Sequence, residues 1–187
     1  MGHQVKFGVM PQTTIDALCF RRFRAAAFVL GLLLMCANTS CRDPRSDRAL
    51  ILNRLRDEIN ANYGYMEGTP RINCGPCARF AIAFRERWNA RFRERVNLAC
   101  VMSPDRRESG HVLIKFSDGA YFDGGNGIMS EQQLRALYPH PIEEMVKFDR
   151  QRLDQLVGGL DRDHYPECPN YSQELTNTLI DKYLARL

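Results

Sequence analysis

Histidine is scarce in this chain. There are four in 187 residues, and one of them is His3. Beyond residue 41 only His111, His140 and His164 remain as side chains that ordinarily exchange a proton near neutral pH. Long apolar runs are missing too. The longest, Ala25 to Ala37, has about 13 residues, fewer than a comfortable bilayer span needs. A charge excess of one sign is also absent once the N-terminus is set aside. Residues 1–40 hold Lys6, Arg21, Arg22 and Arg24 against Asp16, which leaves 22 basic and 21 acidic groups and a net of +1. That balance gives no general argument for nucleic-acid binding. Arg79, Arg85, Arg87, Arg91, Arg93 and Arg95 do cluster, but Glu86 and Glu94 interrupt them, and the segment reads as a solvated helix face. No internal repeat or low-complexity tract occurs.

What is present is an ordinary globular composition, 44% hydrophobic and 26% charged, long enough for one domain and an N-terminal appendage. The first 40 residues form the appendage. A basic stretch at Arg21, Arg22 and Arg24, the apolar run and a small polar stretch follow one another as in an export leader. The leader is long ahead of Arg21, which moves the expected start to Met10 or later. Leu34-Met35-Cys36-Ala37-Asn38-Thr39-Ser40-Cys41 resembles a bacterial lipoprotein signal, which implies lipid attachment at Cys41. Residues 1–40 are therefore expected to be a signal-peptide-like leader, 41–47 a tether and 48–187 a single domain. The expected location is the bacterial envelope, whether secreted, periplasmic or lipid-anchored. Export also bears on Cys74, Cys77, Cys100 and Cys168, since four thiols in an oxidising compartment allow two bridges, or one bridge and working thiols.

The domain reads as α+β. Ser46 or Asp47 caps a helix to about Asn62 with Leu52, Leu55 and Ile59 on its apolar face. Residues 63–76 are glycine- and proline-rich loop. A helix from Pro76 to about Arg95 carries Cys77, Ala81, Phe84, Trp88 and Phe92 at spacings of three and four, with Phe80 alongside, as a buried face. Strands are expected at Val96–Met102, His111–Phe116 and Ala120–Asp123, with Gly124, Gly125 and Gly127 ending that hairpin, and a short one at Met145–Phe148. Ser130 and Gln133 form a capping-box pattern for a helix to Tyr138. Another helix runs from Arg150 to Val157 and stops at Gly158-Gly159. The last starts near Ser172, with Leu175, Leu179, Tyr183 and Leu187 in a stripe.

Cys74-Gly75-Pro76-Cys77 is open to two readings. C-G-P-C is the redox dithiol of thioredoxin-like proteins, but such a site follows a buried strand. Residues 63–73 do not read as one. The alternative makes Cys77 a nucleophile in the first helical turn, where the helix dipole and free N–H groups favour a thiolate and can hold an oxyanion. His111, at the head of the most convincing strand, is the natural base. The third group depends on register. A three-residue loop Ser117-Asp118-Gly119, with Gly119 left-handed, puts Asp123 opposite Leu113 and on the face of His111. A two-residue turn would turn Asp123 away and favour Asn126. A zinc site from Cys74, Cys77, His164 and Cys168 is the weaker alternative, with two halves 86 residues apart along the chain.

Gly75-x-Cys77-x-x-Phe80-Ala81, then His111-Val-Leu-Ile-Lys-Phe, then Gly119-Ala-Tyr-Phe-Asp123 resembles the transglutaminase-like/papain-like cysteine superfamily. The resemblance covers about residues 73–127. It implies a nucleophile helix packed on a small antiparallel sheet with flanking helices. It also implies Cys77 as nucleophile, His111 as base and Asp123 as orienting acid, with Gly75 and Pro76 at the helix start and oxyanion site. Cys74 would be structural, bridged to Cys100 or Cys168. Arg71 and Leu113 stand where papain-like and transglutaminase-like members usually carry glutamine and tryptophan, so the resemblance names no substrate class. The expectation is a thiol hydrolase or acyl transferase acting on a peptide, protein or cell-wall amide, with no cofactor or metal and no nucleic-acid partner. The alternatives are a thiol–disulfide oxidoreductase using Cys74 and Cys77, and a non-enzymatic envelope binding protein.

Overall fold

A computed structural model describes residues 44–162 and 164–187. The leader, the lipidation candidate Cys41 and residues 42 and 43 of the tether lie outside the described residues. The architecture is α+β. In chain order it has helix α1 (Pro44–Tyr63), strands β1 (Tyr65–Met66) and β2 (Thr69–Pro70), and a 3-10 turn (Arg71–Asn73). Helix α2 (Cys77–Arg91) follows, then strands β3 (Asn97–Met102), β4 (Ser109–Lys115), β5 (Tyr121–Asp123) and β6 (Gly127–Met129). Helix α3 (Glu131–Leu137), strand β7 (Ile142–Met145) and helices α4 (Arg150–Val157) and α5 (Gln173–Leu184) complete it. Among the described residues no helix is long and apolar enough to cross a membrane.

Strands β3 to β7 make one antiparallel sheet in the order β6-β5-β4-β3-β7. Helix α2 packs on β4 and β3, and α1 and α5 pack on each other, with α5 also on α2. The docking of α2 is written in its aromatic residues. Phe84 lies 5.0 Å and Phe80 5.9 Å from the Phe122 ring, and Trp88 meets Phe116 edge-on at 5.0 Å. Each such pair adds ~0.5–1.5 kcal/mol beyond the area it buries. Phe80, Phe84, Phe116 and Phe122 are all fully buried, so the helix is pinned lengthwise over the β4–β5 hairpin. The opposite sheet face carries a smaller cluster, Ala99, Val101, Leu113, Tyr121, Met129 and Leu134.

The β4–β5 hairpin takes the three-residue loop. Phe116 N–H donates to Ala120 O at 2.9 Å, Gly119 has φ +84°, and Ile114 pairs with Phe122. Asp123 is thereby opposite Leu113 and on the face of His111.

Several boundaries differ from the sequence reading. Helix α1 begins at Pro44, with Ser46 and Asp47 inside its first turn rather than capping it. Proline fits the first helical turn because its missing N–H is not needed there. Residues 63–76 contain the β1–β2 hairpin, turned at Glu67 (φ 50°) and Gly68 (φ 83°), and the 3-10 turn. Helix α2 stops at Arg91 rather than Arg95. Asn89 clamps Val96 through both its amide atoms, Arg95 caps the Asn89 carbonyl, and Trp88 Nε1 donates to Glu94 O, so the chain turns back early. Strand β7 lies at 142–145 instead of 145–148, an edge strand with Glu143 and Glu144 paired along β3. Helix α5 ends at Leu184, leaving Leu187 exposed and outside the stripe. The capping box at Ser130 and Gln133 and the left-handed stop at Gly158 are as the sequence reads.

Candidate functional site

Cys77 is the first residue of α2, with Pro76 as N-cap and the Phe80 N–H closing the first helical bond on Pro76 O at 3.0 Å. The first-turn N–H groups therefore have no partners within the helix. Pro76 supplies none, so donors there come from Cys77 and the residues after it. Gly75 has φ +132°, and a Cβ at that position would stand 2.8 Å from Tyr165 Cδ1. The helix start thus needs glycine for conformation and for room.

Strand β5 pairs with β4 only as far as Phe122, opposite Ile114, and ends at Asp123, so the His111 end of β4 is left open on that side. The start of α2 comes to this opening. The Val112 backbone N–H and the His111 ring both interact with the Cys77 sulfur. His111 Nε2 lies 3.0 Å from Asp123 Oδ2. The other ring nitrogen, Nδ1, is buried and makes no hydrogen bond of full geometry, which leaves it for Cys77 in a contact looser than a formed bond. Catalytic contacts in ligand-free sites are often loose in this way. All three side chains are buried, with Cys77 8% exposed, His111 2% and Asp123 1%.

The electrostatics follow from that geometry. Burial opposes a thiolate on Cys77, but the contact with the His111 ring and the ring's charge outweigh it and lower its pKa. Burial also opposes an imidazolium on His111, but the bond to Asp123 and the contact with Cys77 win and push it up to about 10. Asp123 is held below the usual carboxylate value, burial again opposing and His111 and Asn126 prevailing. The arrangement therefore shifts the proton from Cys77 towards His111, in the direction of a thiolate–imidazolium pair. The other described thiols go the opposite way. Burial raises Cys74, and pushes Cys100 and Cys168 up to about 11. All four are free thiols, so the bridge from Cys74 to Cys100 or Cys168 is not formed in this structure, nor is one between Cys74 and Cys77. Cys100 is buried in mid-strand β3, and Cys74 turns its Sγ to the Pro70 carbonyl at 3.5 Å.

Asn126 does not replace Asp123. It holds it, through its backbone N–H at 2.5 Å and its Nδ2 at 3.0 Å. Gly125 N–H and Asn73 Nδ2 add bonds at 2.9 and 3.2 Å. Helix α1 in turn grips this turn, with Asn60 Nδ2 on Gly125 O at 2.8 Å and Asn53 Oδ1 accepting from Ile128 N–H at 3.0 Å. Sequence reasoning missed Asn73, Gly125 and Tyr138. Tyr138 stacks on the His111 ring, centroids 4.9 Å apart and planes at 23°, and its hydroxyl receives Asn126 Nδ2 at 3.3 Å. The glycine cluster was the one available signal. A Cβ on Gly125 would fall 2.5 Å from Pro70 Cβ and from Asn73 Nδ2. His140 and His164 are exposed and take no part. Among the described residues no three His, Cys, Asp or Glu side chains gather as a metal site would need.

A cleft of about 100 Å3 reaches Cys77 from outside, between Gly75, Gly110, Gly159, Arg162 and Tyr165. Compared with known protein families, with curated proteins and with solved structures, the chain matches none.

Proposed function

We propose that the chain is a thiol hydrolase or acyl transferase acting on an amide or peptide bond, on a papain-like or transglutaminase-like core. One observation carries the reading. Of the four described thiols only Cys77 has a lowered pKa, and it stands at a helix start against a histidine whose far nitrogen is held by a buried aspartate. The Cys77 thiolate attacks the carbonyl carbon, forming a C–S bond, and first-turn N–H groups take the oxyanion. His111 gives its Nδ1 proton to the leaving nitrogen as the C–N bond breaks. Water or an acceptor amine, deprotonated by the now neutral ring, attacks the thioester and returns the thiolate. Asp123 keeps the second ring proton on Nε2 throughout. In this reading the substrate is a peptide, protein or cell-wall amide. The leader exports the domain to the bacterial envelope, with Cys41 as lipid anchor.

Alkylation with iodoacetamide near pH 6, read by peptide mass spectrometry, tests the site. Cys77 should be labelled first, and His111→Ala should slow it by a factor on the order of 100, the drop in thiolate content when a thiol returns to its ordinary pKa. Labelling of Cys74 ahead of Cys77, or a rate indifferent to His111, would sink the proposal.

A further inference from the structure

We infer that the cleft beside Cys77 is a subsite for a carboxylate, so that the substrate carries an anionic group close to the carbonyl under attack. The inference rests on the reading of Cys77 as nucleophile and says what that nucleophile is offered. The walls of the cleft are slim, with Gly75, Ala78, Gly110 and Gly159 among them, and its volume is about 100 Å3. It takes a narrow group, not an aromatic one. Its one permanently charged wall residue is Arg162.

Arg162 is placed to receive an anion. Its Nη2 donates to Gly158 O at 2.6 Å, and its other donors have no partner among the described residues. Its own carbonyl accepts from Arg79 Nη1 at 3.2 Å, which brings a second guanidinium alongside. Arg79 Nε goes to the neutral Gln173 amide at 3.0 Å. Neither arginine meets a carboxylate among the described residues. The neighbouring arginines do, since Arg87 pairs with Asp181 at 3.2 Å and Arg150 with Asp161 at 2.8 Å. All four border a second cleft, of about 210 Å3, or the first, and the two clefts share Leu160. Of the four, only Arg162 borders the cleft that holds the thiol, and it is one of the two without a carboxylate partner, while Arg79 borders the second cleft. A guanidinium with free, forked donors matches a carboxylate better than any neutral group.

The probes are iodoacetate and iodoacetamide, nearly equal in size and different in charge. The reading is the ratio of their rates at Cys77. Arg162→Glu should lower that ratio about tenfold and Arg162→Gln by less, with the effect shrinking in high salt. Arg93→Glu is the control. Arg93 is exposed beyond the far end of α2, which is about 21 Å long from Cys77 to Arg91, and should leave both rates unchanged. Protection of Cys77 by small amides separates the sources of the carboxylate. N-acetyl-aspartic acid α-amide offers it on a side chain, N-acetyl-alanine at a chain terminus, and N-acetyl-alanine amide offers none. Protection by one of the anions and not by the neutral amide supports the subsite and identifies its source. A ratio unchanged in both Arg162 variants while Cys77 stays fast, or equal protection by the neutral amide, overturns the subsite and leaves the thiol reading standing. A Cys77 no faster than Cys74 ends both.

Discussion

Asp123→Asn strikes the site at its most buried point while keeping its volume. Three donors converge on Oδ1, from Asn73 Nδ2 and the backbones of Gly125 and Asn126. Two more meet Oδ2, from Asn126 Nδ2 and His111 Nε2. An asparagine has one acceptor oxygen, and the three-donor position claims it. Its NH2 group then faces two other donors. Asn126 Nδ2 keeps its bond to the Tyr138 hydroxyl but loses its other acceptor, which costs ~1–3 kcal/mol, and the lost charge-assisted bond to His111 is worth a similar amount, so denaturant unfolding should show a loss of about 3 kcal/mol. The chemical effect is sharper. To face an N–H, His111 Nε2 must become the acceptor, and the ring proton moves to Nδ1, the nitrogen that has to take the proton of Cys77. The same exchange of tautomer disables the serine triad. With no imidazolium beside it, Cys77 feels chiefly its burial, and its thiol returns to the ordinary range or above. At pH 7 a thiol of pKa about 8.5–9 is only ~1–3% thiolate, and its greater intrinsic nucleophilicity recovers part of the loss. Iodoacetamide should therefore react about 30-fold more slowly at pH 7, with the gap closing towards pH 9 to 10. Acid titration should change too. The depressed Asp123 pKa contributes stability that is complete above its unfolded value, near 3.8, and is lost as pH falls through the lower folded value. Asparagine has no such contribution, so the variant's stability should fall less steeply below pH 4. A folded variant that alkylates within threefold of the parent at pH 7, with an unshifted pH profile, would refute the assignment of Asp123 as the group orienting His111.

Two further outcomes can be checked simply. Gly125→Ala forces a Cβ to within 2.5 Å of Pro70 Cβ and Asn73 Nδ2, and such overpacking costs ~1–3 kcal/mol, so its thermal midpoint should drop by several degrees. An unchanged midpoint would mean that the turn holding Asp123 is not tightly packed. A palmitate analogue fed to cells expressing the full chain should label it through Cys41 and not label Cys41→Ser; an unlabelled parent chain removes the lipid anchor from the proposal.

Much of this fold is legible because its signals are local. The four-residue spacing of Phe80, Phe84 and Trp88 names the buried face of α2, and Phe122 and Phe116 are there to receive it. Ser117-Asp118-Gly119 names its own loop, because a left-handed third position suits glycine, and the loop length fixes which face Asp123 occupies. What is not legible depends on residues far apart in the chain. Strand β6 is three residues long and carries no pattern of its own. It forms because Asp123 gathers the N–H groups of Gly125 and Asn126, and because Asn60 and Asn53 reach over from α1, 65 and 75 positions away. Tyr138 lies just past a short helix and becomes a partner of His111 only once α3 covers the second sheet face. Asn73 reads as a loop residue until the 3-10 turn buries it beside Asp123.

The four letters C-G-P-C acquire their meaning from the same long-range geometry. A dithiol oxidoreductase needs its first sulfur activated and presented at the helix start. Here the helix begins three residues too late for that, at Cys77, while Cys74 caps a 3-10 turn and points at a carbonyl. Burial and the neighbouring Cys77 both raise the Cys74 pKa, whereas His111 lowers that of Cys77. The order of acidity is the reverse of what disulfide exchange at this motif requires. The inversion comes from the place where β5 stops. Had β5 continued alongside β4 past Asp123, its backbone would fill the opening where the start of α2 meets His111 and Val112. The cysteine would then have neither base nor donor, and Asp123 would be an ordinary strand residue. The thiol reading therefore rests on a three-residue strand ending at a carboxylate that five N–H groups hold in place.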